Sequence, residues 1–274
     1  MIGFPSAEGL LAGRPDRVFV LDHGYFRVTV SEPPREMGIP GYLIGTQAGE
    51  WLLVDGGFPA KYLVDPDGAS AEDGLHSFGE IVSIGPHNAP GPQMALCGVR
   101  LGDLTALLLT HTHVDHLGGL PLRPDLPVVI GAEERAMPRP DPEFQPPDQL
   151  MTWPDRDWRT VAGDVRIGPG LTALSAPGHA PGQLALLIEP AKGAPLLLTS
   201  DAASRPAEVA EAFATTPLAR RGQAVASARR ILAVARARGA EVIWGHCARQ
   251  WADLPKAPYP LRGARVKESP AWAV

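Results

Sequence analysis

Short apolar runs that end in polar turns recur along the chain and predict many strands. The first are residues 18–21 and 26–30, around the turn Asp22-His23-Gly24, followed by a hairpin of residues 42–45 and 51–54. Seven more apolar runs read as strands at 107–109, 128–130, 165–167, 171–174, 184–188, 196–199 and 242–245. From Arg221 to Arg238 apolar residues recur at three- and four-residue steps, which predicts one amphipathic helix that Gly239 ends.

Two segments lack this periodicity. Residues 58–102 are rich in Asp, Gly, Pro and Ser, and residues 138–160 are rich in Pro and contain Trp153 and Trp158. A long irregular insertion is either a disordered loop or a lid. Because residues 81–84 and 94–96 give the first segment apolar packing groups, we expect a lid or a dimer contact there. The second segment is predicted to be a covering loop, and residues 1–274 are predicted to form a single domain.

The bulk composition narrows the class of protein. The chain has 274 residues, 45% of them hydrophobic and 20% charged, with a net charge of −5. An acidic chain without a basic stripe is not expected to bind nucleic acid. No apolar stretch reaches the length of a membrane span, and residues 1–13 lack the features of a signal peptide. Two cysteines are too few for a disulfide framework, so we expect a cytoplasmic protein without a membrane partner.

The chain's candidate chemistry is concentrated directly after the apolar run 107–109. His111, His113, Asp115 and His116 fall within six residues, and two glycines follow them. On an extended or tightly turned backbone, side chains two residues apart point the same way. So many ligand groups at the end of a buried strand would be costly to bury without a cation among them. The stretch therefore predicts a metal site.

Three later strands each end in a further candidate ligand. These residues are His179, Asp201 and His246. Together with the first cluster they make five His and two Asp at strand ends, which is enough for two adjacent cations. The predicted first set is His111, His113 and His179, the second is Asp115, His116 and His246, and Asp201 is predicted to bridge them. Zinc, manganese, iron and cobalt all suit such ligands.

Asp55-Gly56-Gly57, just past the strand 51–54, has two interpretations. Asp55 is either a turn residue or a carboxylate that hydrogen-bonds to a metal ligand. The sequence favours neither.

The run His-Thr-His-Val-Asp-His-Leu-Gly-Gly, with Asp-Gly-Gly upstream and single His, Asp and His downstream, resembles the metallo-β-lactamase superfamily. The resemblance spans residues 42–246 and implies an α/β fold, a four-layer αββα sandwich with the metals in a cleft at one edge of the sheets. The 55 residues between Asp55 and His111, together with the helix from Arg221, resemble the lactonase branch, which includes N-acyl homoserine lactonases and pyridoxolactonase. Ser204 departs from that branch, because homoserine lactonases carry at this position a tyrosine that helps to polarise the substrate carbonyl. Tyr25, Tyr42, Tyr62 and Tyr259 are the available substitutes.

The resemblance implies a dinuclear hydrolase, most simply a zinc enzyme, that opens a lactone or a related ester with a bridging hydroxide. Asp115 is expected to orient the nucleophile and to pass a proton to the leaving alkoxide. The partner is then a small molecule with a lactone or ester carbonyl, and a homodimer is compatible with the family. Trp153 and Trp158 indicate either an apolar substituent on that molecule or local packing. Alternatives are a glyoxalase II-like thioester hydrolase, a di-iron redox scaffold and a non-catalytic binding module.

Overall fold

A computed structural model describes residues 4–138, 155–213 and 218–261. Its twelve strands are β1 (Pro15–Val28), β2 (Arg35–Thr46), β3 (Trp51–Val54), β4 (Gly79–Ser83), β5 (Ala106–Leu108), β6 (Val128–Gly131), β7 (Trp158–Val161), β8 (Val165–Gly168), β9 (Leu171–Ser175), β10 (Leu184–Ile188), β11 (Leu196–Leu198) and β12 (Glu241–Ile243). The α-helices within the same ranges are α1 (Ala60–Val64), α2 (Pro66–Asp73), α3 (Pro90–Leu96), α4 (Ala132–Ala136), α5 (Pro206–Ala210), α6 (Leu218–Arg238) and α7 (Ala248–Asp253). None of these helices is long and apolar enough to cross a bilayer.

The strands form two sheets. The larger has the order β4-β1-β2-β3-β5-β6-β7, and the smaller has the order β12-β11-β10-β9-β8. In the larger sheet β1, β2 and β3 pair antiparallel, whereas β3, β5, β6 and β7 are parallel neighbours. In the smaller sheet β10 is antiparallel to both β9 and β11, and β12 is parallel to β11. The carboxyl ends of β9, β11 and β12 therefore lie at the same edge.

The packing of the sheets gives four layers. Val20 and Leu108 of the larger sheet share one buried cluster with Leu186 and Leu198 of the smaller sheet, so the main core lies between the sheets. The outer face of the larger sheet packs against α3 through Met94 and other buried residues. The outer face of the smaller sheet packs against the apolar stripe of α6. This arrangement confirms the predicted αββα sandwich.

Two regions differ from the sequence expectation. Residues 18–21 and 26–30 were predicted as separate strands, but β1 runs from Pro15 to Val28 with an irregularity in its pairing between Asp22 and Tyr25. Gly24, at φ +113°, keeps the strand continuous there, since a side chain would meet the carbonyl oxygen of Ser83. Residues 58–102 are not irregular either, because they form α1, α2, β4 and α3.

The predicted covering loop 138–160 is wrong at its carboxyl end. Residues 158–160 belong to β7, which pairs with β6, and Trp158 pairs with Val128. Trp158 is 2% exposed and packs in the cluster on the outer face of the larger sheet, so it does not cover a site. The apolar indole packs in this core, so of the two interpretations of Trp158 the structure supports local packing. Trp153 and residues 139–154 lie outside the described residues.

Candidate metal centre

The fold brings the seven predicted ligands to one place because each follows a strand end. His111 and His113 come just after β5, and Asp115 and His116 lie in the 3-10 turn Val114–Gly119. The remaining three residues follow β9, β11 and β12, whose carboxyl ends share one edge of the smaller sheet. These three are His179, Asp201 and His246.

The seven side chains meet in two groups with Asp201 between them. The ligand atoms of His111, His113 and His179 all lie within 4.8 Å of one another, and so do those of Asp115, His116 and His246. Asp201 Oδ2 is 3.3 Å from His179 Nε2, and Asp201 Oδ1 is 3.0 Å from His246 Nε2. One carboxylate oxygen therefore faces each group, as a bridging ligand requires.

The electrostatics of the centre favour neutral imidazoles in the group that contains His111 and His113. Burial lowers the pKa of His111 and His113 well below the usual histidine value, and the nearby imidazoles reinforce this. Burial opposes the ionisation of Asp201, but His246 and His179 outweigh it and hold the pKa of that carboxyl well below its usual range. Neutral imidazoles and an ionised carboxylate are the protonation states that bind a cation.

The second group is more strongly charged. Burial alone would lower the pKa of His116, but the charges of Asp115 and Asp55 raise it to about 10. The pKa of His246 is raised as well, because the Asp201 carboxylate outweighs its burial. A proton therefore occupies this side of the centre when no cation is present, and a cation would replace it.

Unsatisfied buried nitrogens show that the residues present fit metal ions. Nε2 of His111 and Nε2 of His116 are buried and make no hydrogen bond in the described part of the chain. In His116 and His246 the other ring nitrogen, Nδ1, donates a hydrogen bond to a protein oxygen. His116 Nδ1 donates to the Asp55 carboxylate at 2.9 Å, and His246 Nδ1 donates to the Gly38 carbonyl at 2.8 Å. In the neutral ring such bonds leave Nε2 with its lone pair directed into the centre, as in metal-binding histidines. The donor set therefore suits two divalent cations.

Asp55 supports the centre and is also a turn residue. Its carboxylate accepts from the backbone N–H of Thr110 at 2.9 Å, from Thr110 Oγ1 at 2.8 Å and from His116 Nδ1 at 2.9 Å. The residue is 4% exposed and has φ +53°, the left-handed region that a tight turn needs. Asp55 thus combines a tight-turn backbone with a hydrogen bond to a predicted ligand, His116. Gly56 lets this turn approach the end of the ligand loop closely, because a Cβ there would lie 2.0 Å from the Gly119 nitrogen.

Glu134, which the sequence analysis did not single out, holds the ligand loops together. It is fully buried at the start of α4 and accepts from the backbone N–H of Thr112 at 3.0 Å and from Thr112 Oγ1 at 2.5 Å. Its other oxygen accepts from the N–H of Gly182 at 3.0 Å. Thr112 lies between two histidines of the centre, and Gly182 follows the loop of His179. An acidic residue in the first turn of a helix is common, so the sequence carried no signal for this role.

A cavity of about 390 Å³ opens above the centre. His113, Asp115, His179 and Asp201 form part of its floor. Most of its wall is apolar and consists of Phe26, Val28, Val30, Met37, Phe58, Leu75, Phe78 and Val114. Phe58, Leu75 and Phe78 come from the insertion 58–102, so only the first part of that segment borders the cavity.

Ser204 lines the cavity, but none of the four tyrosines does so within the described residues. The Tyr62 hydroxyl donates to Asp73 at 2.6 Å, Tyr42 is buried between the sheets, and Tyr259 is 68% exposed. The backbone of Ser204 is fixed, since its carbonyl accepts from His246 and its N–H donates to Glu208. No tyrosine of the described chain thus takes the position that the lactonase resemblance implies.

The chain is similar to known lactonases in sequence. An N-acyl homoserine lactonase of a Bacillus species is 29% identical over 189 residues, which are 67% of this chain and 71% of the relative. The N-acyl homoserine lactonase AttM of Rhizobium radiobacter is 27% identical over 241 residues, which are 81% of this chain and 87% of that protein.

Solved structures share the fold. An N-acyl homoserine lactone hydrolase with the product N-hexanoyl-L-homoserine at its catalytic metal center matches with a TM-score of 0.77 and 20% identity, over 92% of this chain and 100% of that one. AidC, a dizinc quorum-quenching lactonase, matches with a TM-score of 0.57 and 15% identity, over 87% of this chain and 92% of that one.

The sequence model of the metallo-beta-lactamase superfamily matches residues 36–246, which include all seven residues of the centre. The chain therefore belongs to the metallo-beta-lactamase superfamily and is a metal-dependent hydrolase.

Proposed function

We propose that the protein is a dinuclear lactonase that opens a cyclic ester with water. The observation that carries this proposal is the pair of ligand groups on either side of the Asp201 carboxylate, at the floor of a mainly apolar cavity. The relatives that are named N-acyl homoserine lactonases support lactone hydrolysis over thioester hydrolysis and over redox chemistry.

Two divalent cations would be held by residues of the described chain. His111, His113 and His179 would hold one, Asp115, His116 and His246 the other, and Asp201 would contact both. We propose zinc, because a histidine-rich centre with few carboxylates suits it, with manganese, iron and cobalt as alternatives. When bound, the cations supply Lewis acidity and lower the pKa of a water molecule.

Asp115 is the proposed catalytic residue. Its side chain is 16% exposed, borders the cavity and has Oδ1 3.6 Å from His116 Nε2 and Oδ2 3.6 Å from His246 Nε2. In this position the carboxylate can accept a hydrogen bond from the attacking water and orient it. It takes one proton from the water, whose oxygen bonds to the carbonyl carbon, and returns that proton to the ring oxygen when the C–O bond breaks. The product is an open-chain hydroxy acid.

The apolar wall would bind the remainder of the substrate. Phe58, Met37 and Val114 offer hydrocarbon surface beside the polar floor. Burial of an acyl or ring substituent there contributes binding energy and excludes water from the reacting carbonyl. Because the position of the missing tyrosine is taken by Ser204, we do not assign homoserine lactone as the substrate.

The test is proton release by zinc-loaded protein on lactones and thioesters that carry the same acyl group. The Asp201→Ala variant serves as the blank. We expect lactone opening that depends on metal and varies with ring and chain length. Cleavage of thioesters alone would replace the lactonase proposal with a glyoxalase II-like one. No hydrolysis by the zinc-loaded protein, with an iron absorption spectrum of the protein as purified, would favour the redox scaffold. A cytoplasmic location and a homodimer stay predictions.

A further inference from the structure

Arg35 is a charged residue of the cavity wall that the proposed hydrolysis does not use. It is the first residue of β2 and is half-buried, and its side chain lines the cavity. Within the described residues no carboxylate lies at ion-pair distance from it, and its one hydrogen-bond contact is a long one, 4.0 Å, to the sulfur of Met37. Arg27 on the neighbouring strand differs, because it pairs with both Glu36 and Glu80.

The surroundings of Arg35 do not neutralise it. Burial lowers its pKa, the positive charge of Arg205 acts in the same direction, and the opposing charges of Glu208, Asp201 and Glu211 do not reverse the shift. A guanidinium nevertheless stays charged at neutral pH. The acidic groups that act on Arg35 are engaged elsewhere. Glu208 accepts from the N–H of Ser204 at 2.7 Å, Asp201 contacts His179 and His246, and Glu211 pairs with Arg205 at 3.3 Å. A partly desolvated cation without an anion is costly, and an anionic ligand would remove that cost.

The cavity places this cation beside an apolar wall and a carbonyl-binding floor. Phe26, Val28 and Met37 provide hydrocarbon surface beside Arg35, since Val28 pairs with Arg35 and Phe26 with Met37 across β1 and β2. The other cationic wall residue, Arg220, already donates to the carbonyl of His179 at 2.9 Å. A ligand that complements the metal centre, the apolar wall and Arg35 therefore has an ester carbonyl, an apolar body and one anionic group.

We infer that Arg35 forms an anion subsite and that the substrate is a lactone or ester that also carries a carboxylate. This inference rests on the proposed function for the lactone part only. The planar guanidinium can donate two parallel hydrogen bonds to a carboxylate, which gives orientation as well as affinity. A neutral acyl lactone of the same size would leave Arg35 without its partner.

A binding experiment tests the subsite independently of turnover. The probes are the monohydroxamates of adipic and suberic acid and the methyl esters of the same compounds, and calorimetry measures their Kd for zinc-loaded protein. The hydroxamate group is expected to bind the metal centre in all four probes, so the acid and the ester of each pair differ only at the opposite end of the molecule. We expect the better-fitting acid to bind about tenfold more tightly than its ester, as a charge-assisted hydrogen bond supplies.

The variant Arg35→Gln should abolish this preference and leave the Kd of the ester within about twofold. Arg27→Gln is the matched control, because it removes the same charge from a residue that does not line the cavity. The preference should persist in the control. Equal Kd values for acid and ester in the unmodified protein, or the same ratio in Arg35→Gln, would overturn the inference. An equal loss for both probes would also overturn it, because Arg35 would then bind a carbonyl oxygen.

Lactone turnover separates this result from the proposed function. If the protein prefers the acid probes in a way that depends on Arg35 but opens no lactone, the lactonase proposal is refuted and the anion subsite is supported. Rapid opening of neutral lactones, unchanged in Arg35→Gln, combined with no probe preference, would refute the subsite and keep the lactonase.

Discussion

Replacing Glu134 with alanine is predicted to destabilise the protein through the two ligand loops. The carboxylate is fully buried and accepts three hydrogen bonds, two from Thr112 and one from Gly182. Alanine would leave these three donors buried without their acceptor. An unsatisfied buried donor costs about 1–3 kcal/mol, and partial relaxation of the loops brings the expected total to about 4 kcal/mol.

The assay is urea unfolding of the metal-free protein, in which no cation can compensate for the loss. At a constant slope the midpoint reports the change in the free energy of unfolding. Glu133→Ala is the matched control, since Glu133 is the exposed neighbour in the same helix and should change that free energy by less than about 0.5 kcal/mol. Glu134→Gln keeps one oxygen acceptor, so its free energy of unfolding should lie between those of Glu134→Ala and Glu133→Ala.

The same substitution should weaken metal binding, because the loop of His111 and His113 and the loop of His179 would no longer be tied to α4. Loss of a group that orients ligands typically costs about 10- to 100-fold in metal affinity. If the free energy of unfolding of Glu134→Ala lies within about 1 kcal/mol of that of Glu133→Ala, and zinc affinity is unchanged, Glu134 does not hold the ligand loops.

Three further predictions concern the centre itself. Asp201→Ala removes the carboxylate between the two groups, so metal analysis should find less than about two equivalents of zinc per chain, and turnover should fall to background; full turnover would disprove the bridging role. Asp115→Asn should lower kcat by about 100-fold or more with little change in melting temperature; a variant that unfolds early but turns over normally would contradict this. The pKa of His116 is raised to about 10 in the metal-free protein and that of His246 is raised as well, so at pH 8 zinc should displace at least about one proton and bind more weakly as the pH falls. Calorimetry in buffers of different ionisation enthalpy measures this proton, and no release at pH 8 would refute the assignment.

The seven residues that meet at the centre could be predicted from the sequence for a physical reason, whereas the four-layer fold was implied by the resemblance to the metallo-β-lactamase superfamily. Apolar runs mark buried strands, and a polar ligand that directly follows such a run lies at a sheet edge whatever the details of the loops. Trp158 shows where this reasoning fails, because the Pro-rich composition around it hid a strand that depends on pairing with β6. Glu134 and Arg35 were missed for another reason. Their environments are made by residues distant in sequence, and no local pattern records such contacts.

The insertion 58–102 is an intermediate case. Its turn-rich composition predicted loops, yet β4 forms because β1 offers a free edge, with Phe26 paired with Ile81. Its contribution to the cavity through Phe58, Leu75 and Phe78 follows from that pairing and from the adjacent helices. Tertiary context thus overrode a local preference for turns.

The measurement that tests the central claim most directly is lactone opening as a function of added zinc. Metal-stripped protein is titrated with zinc while proton release is followed, and Asp201→Ala is titrated in parallel. We expect no turnover in the stripped protein and a rise that saturates at about two equivalents of zinc per chain, with no rise in the variant. Full turnover without metal, or an equal rise in Asp201→Ala, would contradict a dinuclear centre built on these residues.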